Sequence, residues 1–204
     1  MPVSPDFTSI YTQNFEIGFQ HCYSNGFLKH TEICNLFQIV AGIHADLGGI
    51  SYLDMQQHHQ AWVLSRMRIE ITKLPKWKDV ITIKTWIKTL ENSRSVRCLE
   101  MYLNEEKIVG CETFWVVINT KTRRPDNLAL PDIDIVNHAN NVKYLEWCLD
   151  VTNVENVLSN KIKALNLNYL QELNYNDTIE IHHTTTSFLI TKEGKSCFAL
   201  EVEM

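Results

Sequence analysis

The chemistry-bearing residues of this chain gather late in it. Asp134 stands four residues before His138 in the run Asp132-Ile133-Asp134-Ile135-Val136-Asn137-His138-Ala139-Asn140-Asn141, and Glu172 follows beside a turn. Carboxylates near an imidazole can deprotonate a water or attack an electrophile directly, and the imidazole can carry the proton onward. If Asn140 and Asn141 open a helix, their backbone N–H groups can polarise a carbonyl, because unpaired amides and the helix dipole favour a developing oxyanion. Each residue also has a structural reading. Asp134 could cap the helix, His138 could be a hydrogen-bonded interior histidine, Glu172 could be solvated, and the asparagines could satisfy spare backbone groups.

The elements that would position these residues occur twice. At an offset of 98, Met67, Ile69 and Ile71 meet Leu165, Leu167 and Tyr169, Trp77 meets Tyr175, Asp79 meets Asp177, and Ile81 and Ile83 meet Ile179 and Ile181. Both copies read as strand, turn, strand with period-two alternation. Upstream, Ile33, Phe37, Val40, His44 and Leu47 recur at helical spacing, as do Val142, Leu145 and Leu149, with His30 opposite His138. The first copy carries about ten extra residues between Gly48 and Gln60. Downstream, Ser95–Glu100 resembles Ser196–Glu201, and Cys111–Asn119 reads as an additional strand of the first half. One helix covering one antiparallel sheet face is a two-layer α+β unit. The expected architecture is therefore a double hotdog, with halves at 1–122 and 123–204 divided in the turn-rich Lys121–Asn127. Within that frame, only the second copy has the carboxylate before its histidine, and it has Glu172 where the first has Leu74.

Composition narrows the function. The 204 residues carry 19 Lys and Arg against 24 Asp and Glu, for a formal charge of −5. No basic run exceeds Arg123-Arg124, which argues against nucleic-acid binding. No apolar stretch approaches the ~20 residues of a bilayer span. The opening Met1-Pro2-Val3-Ser4-Pro5-Asp6 lacks a basic region followed by an apolar one, so the expected compartment is the cytoplasm. Six scattered cysteines form no CxxC pair and no zinc-site spacing, and they read as small buried hydrophobes. Neither metal nor organic cofactor is indicated. Seven glycines and five prolines are about half the usual share of roughly 12%, as suits long strands and few turns.

The motif Asp132-x-Asp134-x-x-x-His138-x-Asn140-Asn141-x-Lys143-Tyr144, with Trp147 three residues on, resembles the catalytic motif of the fatty acyl-acyl carrier protein thioesterases of plants and bacteria. Asn14–Gly18, Trp62–Met67, Pro75–Val80 and Tyr169–Glu172 agree with it, so the resemblance covers roughly residues 11 to 203. The Asp-x-x-x-His-x-Asn-Asn core also resembles acyl-CoA thioesterases of single-hotdog type. The resemblance implies a catalytic Asp, His, Glu and Asn in the C-terminal hotdog, falling on Asp134, His138 and Glu172. The family Asn falls on Val136, with Asn137 one residue later as its substitute, and Leu173 stands where some members carry a Cys. It further implies that the N-terminal hotdog holds the acyl chain. Apolar candidates there are Phe37, Val40, Ile43 and Leu47 on the helix and Trp62 and Leu64 on the strand, all of which suit ordinary core packing equally well. The implied partner is acyl carrier protein, an acidic molecule that would need a local basic patch; Lys121, Arg123, Arg124, Lys161 and Lys163 are the candidates. A homodimer is compatible with such a fold. A non-catalytic acyl-chain binder is the reading from another class, motivated by Val136.

Overall fold

The computed structural model describes residues 4–126, 141–152, 157–159, 161–173 and 177–204. Its frame is a single nine-stranded antiparallel sheet. The strands are β1 (Ile10–Glu16), β2 (Gln60–Ile71), β3 (Val80–Glu91), β4 (Arg94–Leu103), β5 (Glu106–Asn119), β6 (Ala164–Tyr169), β7 (Glu180–His183), β8 (Ser187–Lys192) and β9 (Lys195–Glu203). They lie in the order β1-β3-β4-β5-β2-β6-β9-β8-β7. Period-two alternation decides which side chains go inward. In β2, Met67, Ile69 and Ile71 are buried while Arg68 and Glu70 face out, and in β6 Leu165 and Leu167 are buried between half-buried asparagines.

The two copies meet at β2 and β6, and the register of that pairing locates a local two-fold. Arg68 pairs with Asn166, and these two are repeat mates, 98 residues apart. Equivalent strands running antiparallel about equivalent residues are related by a half-turn between them. The Arg68 guanidinium donates through Nη1 to Asn166 Oδ1 at 2.6 Å and to Glu203 Oε1 at 2.8 Å across this seam.

The ladder corrects one equivalence drawn from the sequence. Counting outward from the seam, β2, β5, β4 and β3 correspond to β6, β9, β8 and β7. Ser196–Glu201 lies in β9, so its counterpart is β5 and not Ser95–Glu100 of β4. The Cys111–Asn119 segment is thus part of the shared scaffold, and the extra strand of the first half is β1 at the outer edge. Neighbouring strands of a hairpin carry the same in-and-out alternation, so an apolar pattern aligns with either one.

Helix α1 (His30–Leu47) lies against β1 and β3 in the first half, and α3 (Asn141–Asp150) lies against β9 in the second. The buried face of α1 carries Ile33, Phe37, Val40 and His44 at spacings of three and four. Its C-terminus closes in a Schellman arrangement: Gly49 N–H donates to Asp46 C=O and Ile50 N–H to Ala45 C=O, with Gly49 in the left-handed region at φ 69°. The extra residues after it form the short helix α2 (Tyr52–Gln56). Ser51 and Asp54 cap α2 reciprocally, Asp54 Oδ2 accepting from Ser51 N–H at 2.9 Å and from Ser51 Oγ–H at 2.7 Å. One continuous core joins Phe37 and Val40 of α1 to Leu145 of α3, Leu165 and Leu167 of β6 and Phe198 of β9. Each half is one helix against one sheet face, and the whole is an α+β double hotdog. No helix among the described residues is long and apolar enough to cross a membrane.

Candidate active site

A cavity of about 980 Å³ opens between the two halves. The first half supplies most of the apolar wall: Ile39 and Ile43 from α1, Ala61 to Leu64 from β2, and Trp115 and Ile118 from β5. The second half contributes Asn141 and Tyr144 of α3 and the segment Tyr169–Glu172 that leaves β6.

Glu172 is on this wall, with 29% of its side chain exposed, and it forms an ion pair with Arg123, which also lines the cavity. The backbone on both sides of Glu172 is fixed. Leu170 and Gln171 N–H both donate to Cys197 C=O, at 2.8 and 3.0 Å, and Leu173 N–H donates to the Tyr144 hydroxyl at 2.9 Å. Tyr169 in turn donates from its hydroxyl to the Asn141 carbonyl at 3.1 Å, tying the strand to the start of α3. Burial raises both phenol pKa values, that of Tyr169 well above its ordinary range, so the donor keeps its proton. Tyr144, Tyr169 and Phe198 pack ring against ring at 5.0 to 5.6 Å. This aromatic cluster gives Glu172 a rigid mount. The sequence marks Tyr144 and Tyr169 only as aromatic positions; their hydroxyl partners come from distant segments.

Asp134, Asn137, His138 and Asn140 lie outside the described residues. Arg123 and Asn141, which precede and follow that segment in the chain, both line the cavity that holds Glu172. Asn141 is the first residue of α3, at the positive end of its dipole.

The six apolar candidates divide. Ile43, Trp62 and Leu64 line the cavity. Phe37 and Val40 are buried in the core at 1% and 0% exposure, and Leu47 is not among the lining residues. A helix turns 100° per residue, so α1 gives its 33/37/40/44 stripe to the core and its 39/43 stripe to the cavity. The basic candidates divide too. Lys121 contacts His59. Lys161 and Lys163 line a separate cleft with Lys73 and Lys76, beyond the opposite end of β6 from Glu172. With Arg123 paired to Glu172, the five residues make no single basic patch.

One polar group of the cavity wall went unmarked in the sequence. Arg97, in β4, is only 6% exposed and lines the cavity. Its Nη1 donates to His44 Nδ1 at 3.0 Å and to Thr85 Oγ1 at 3.1 Å. His44 must then carry its proton on Nε2, which donates to Thr8 C=O at 2.9 Å, and its ring stacks on Phe7 with centroids 4.9 Å apart. Burial lowers the His44 pKa and brings that of Arg97 down to about 10, leaving the guanidinium charged at neutral pH. The available signal was parity: Arg97 shares the inward register of Leu99, Met101 and Leu103.

All six cysteines are free thiols. Among the described residues, no group of three or more His, Cys, Asp or Glu side chains could hold a metal ion.

Comparison with known proteins points in one direction. The chain matches the family described as acyl-ACP thioesterase N-terminal domain over residues 8–135, and that described as acyl-ACP thioesterase C-terminal domain over residues 119–202. It is 25% identical over 217 residues to the chloroplastic oleoyl-acyl carrier protein thioesterase of Coriandrum sativum, across 78% of this chain and 59% of that one. It is 28% identical over 203 residues to the chloroplastic oleoyl-acyl carrier protein thioesterase 2 of Arabidopsis thaliana, across 72% of this chain and 55% of that one. The chain thus spans 59% and 55% of the length of these curated relatives. The crystal structure of an acyl-ACP thioesterase from Bacteroides thetaiotaomicron superposes with a TM-score of 0.83 at 22% identity, covering 95% of this chain and 97% of that one. At that identity the likeness is one of fold.

Proposed function

The chain belongs to the acyl-ACP thioesterase family, and on that premise we propose that it hydrolyses the thioester of a fatty acyl group on acyl carrier protein, releasing the free acid and the carrier. The observation that carries this reading is the seat of Glu172: a braced carboxylate on the wall of a largely apolar cavity of about 980 Å³ shared by both halves. In the proposed reaction a water attacks the thioester carbonyl while Glu172 or Asp134 takes its proton. The tetrahedral oxyanion forms beside the start of α3, where one N–H donor contributes about 3 kcal/mol to the transition state. The C–S bond then breaks, and the sulfur leaves as a thiol with the proton taken from water, which His138 relays from the carboxylate, with Asn137 as an orienting group. The acyl chain runs along Ile43, Trp62 and Leu64, each buried methylene contributing about 0.8 kcal/mol. The site of action we assign is the cytoplasm, where the carrier would be met in solution.

The test is to express the chain and its Asp134→Ala variant in a bacterium and measure released free fatty acids by mass spectrometry. In parallel, purified protein is given one acyl chain on acyl carrier protein and on CoA. Free acid from the wild type alone, with the carrier-protein thioester cleaved faster, is the expected result. Undiminished hydrolysis by Asp134→Ala would sink the scheme, and faster cleavage of the CoA thioester would reassign the carrier.

A further inference from the structure

The apolar cavity contains a cation that the proposed reaction does not use. Arg97 is 94% buried by its 6% exposure, yet it lines the cavity. Both hydrogen bonds of its guanidinium leave from Nη1, and both acceptors, His44 Nδ1 and Thr85 Oγ1, are neutral. Among the described residues no carboxylate lies within ion-pair distance of it, and Nε and Nη2 have no hydrogen-bond acceptor. Neither of those two nitrogens is fully buried, and the residue that carries them lines the cavity. Nε and Nη2 form the side-on edge through which a guanidinium takes a carboxylate in two parallel bonds.

The surroundings hold that edge in place. His44 is pinned by Thr8 and stacked on Phe7, and Thr85 is tied through its hydroxyl to Cys98 C=O at 3.0 Å. With Nη1 bound to both, the plane of the guanidinium is fixed. A purely hydrocarbon ligand filling the cavity would strip the remaining solvent from a buried charge and return nothing for it.

We propose that the cavity accepts an acyl chain bearing a carboxylate at its far end, which Arg97 binds through its Nε–Nη2 edge. This assignment rests on the thioesterase reading for the other end of the chain. The sheet register sets the distance. Arg97 pairs with Thr113, Thr113 with Met67, and Met67 with Leu167, which places Arg97 three strands across from β6. Glu172 lies five residues beyond Leu167. Three strand spacings and the two residues of rise from Leu167 to Tyr169 put the end of β6 about 16 Å from Arg97 on a flat sheet, and Glu172 follows three residues after that end. Arg97 is therefore placed to read the terminus of a long chain whose carbonyl is at Glu172, and not the carbonyl itself.

The test uses carrier-protein thioesters of equal carbon number ending in a methyl group or a carboxylate, with wild type, Arg97→Met and Arg97→Lys. Wild type is expected to favour the carboxylate-ended chain in kcat/KM by about ten- to a hundredfold. Arg97→Met should lose that preference and gain on the methyl-ended chain, and Arg97→Lys should keep part of it. A wild-type preference for the methyl-ended chain, or a preference that survives Arg97→Met, overturns the proposal. Binding is read separately by quenching of Trp62 and Trp115, using a fatty acid methyl ester and the monomethyl ester of the matching dicarboxylic acid. If neither thioester is cleaved, the thioesterase reading falls. Tighter binding of the monomethyl ester that is lost in a folded Arg97→Met protein would still support the Arg97 assignment, and equal binding would overturn it.

Discussion

Outward from the seam, the strands of the first half are 12, 14, 10 and 12 residues long, and their counterparts in the second are 6, 9, 6 and 4. The helices differ likewise, 18 residues against 10. The long strands, α1 and α2 of the first half build depth, and so it supplies most of the cavity wall. The short second half brings its loop after β6 and the start of α3 to that wall. Repeat mates show the division residue by residue. Leu74 is sealed in the core at 6% exposure, whereas Glu172 lines the cavity beside Arg123. A carboxylate is tolerated where solvent and a counter-charge reach it, and the first half offers its equivalent position neither.

Exchanging the character of these two positions should separate catalysis from stability. Glu172→Gln is expected to lower kcat by about 10²- to 10⁴-fold with a melting temperature near that of wild type, since the side chain is partly exposed. Leu74→Ala should do the reverse, costing about 2 to 5 kcal/mol in a urea titration while the surviving folded protein keeps its kcat. If both variants lose stability and neither loses activity, the assignment of duties to the halves is wrong.

A smaller effect distinguishes the histidines. His30, the repeat mate of His138, is fully buried, and its Nδ1 meets the Tyr23 hydroxyl at 3.0 Å. Desolvation lowers its pKa from 6.5 to about 4. Between those values the unfolded chain takes up a proton that the folded chain refuses, so stability falls as pH falls, by about 2 kcal/mol at pH 5 relative to pH 7. Urea midpoints at the two pH values should show this loss, and His30→Phe should flatten it. His44, also lowered by burial, contributes in the same direction, so the slope should shrink without vanishing. An unchanged slope in His30→Phe would mean that the first-half histidine is not held neutral.

The features readable in the sequence were those set by local period. The alternation of Met67, Ile69 and Ile71 gave β2 its inward face, and the comparison of copies singled out Glu172 because its mate is apolar. What escaped depended on partners remote in the chain. Neighbouring strands share one alternation, so Ser196–Glu201 matched β4 as well as β5 until the ladder decided. The stripe of α1 was visible, but whether Phe37 or Ile43 met the cavity depended on which side the second half closed. Arg97 was overlooked because a charged residue between two apolar ones, Val96 and Cys98, reads as an outward one; its parity with Leu99 was the better guide. Tyr144 became a support for Glu172 only through its hydrogen bond to Leu173 N–H, 29 residues away.

The smallest expected effect is at the seam itself. Arg68 makes polar contacts across the seam to Asn166 and Glu203, and another within β2 to Glu70 at 3.1 Å. All three ionic side chains are well exposed, at 43% for Arg68, 52% for Glu203 and 67% for Glu70. Exposed pairs gain little, because water and salt screen the attraction and ordering the long side chains offsets it. The β2–β6 ladder and the buried Met67, Ile69, Leu165 and Leu167 remain when the guanidinium is removed. Arg68→Ala should therefore leave the urea midpoint within error of wild type at low and high salt alike. A clear loss at low salt, recovered by no other change, would mean that surface charge joins the halves. The two-fold would then be an ionic contact rather than a shared core, and the cavity wall that crosses it would be held far less rigidly than the packing indicates.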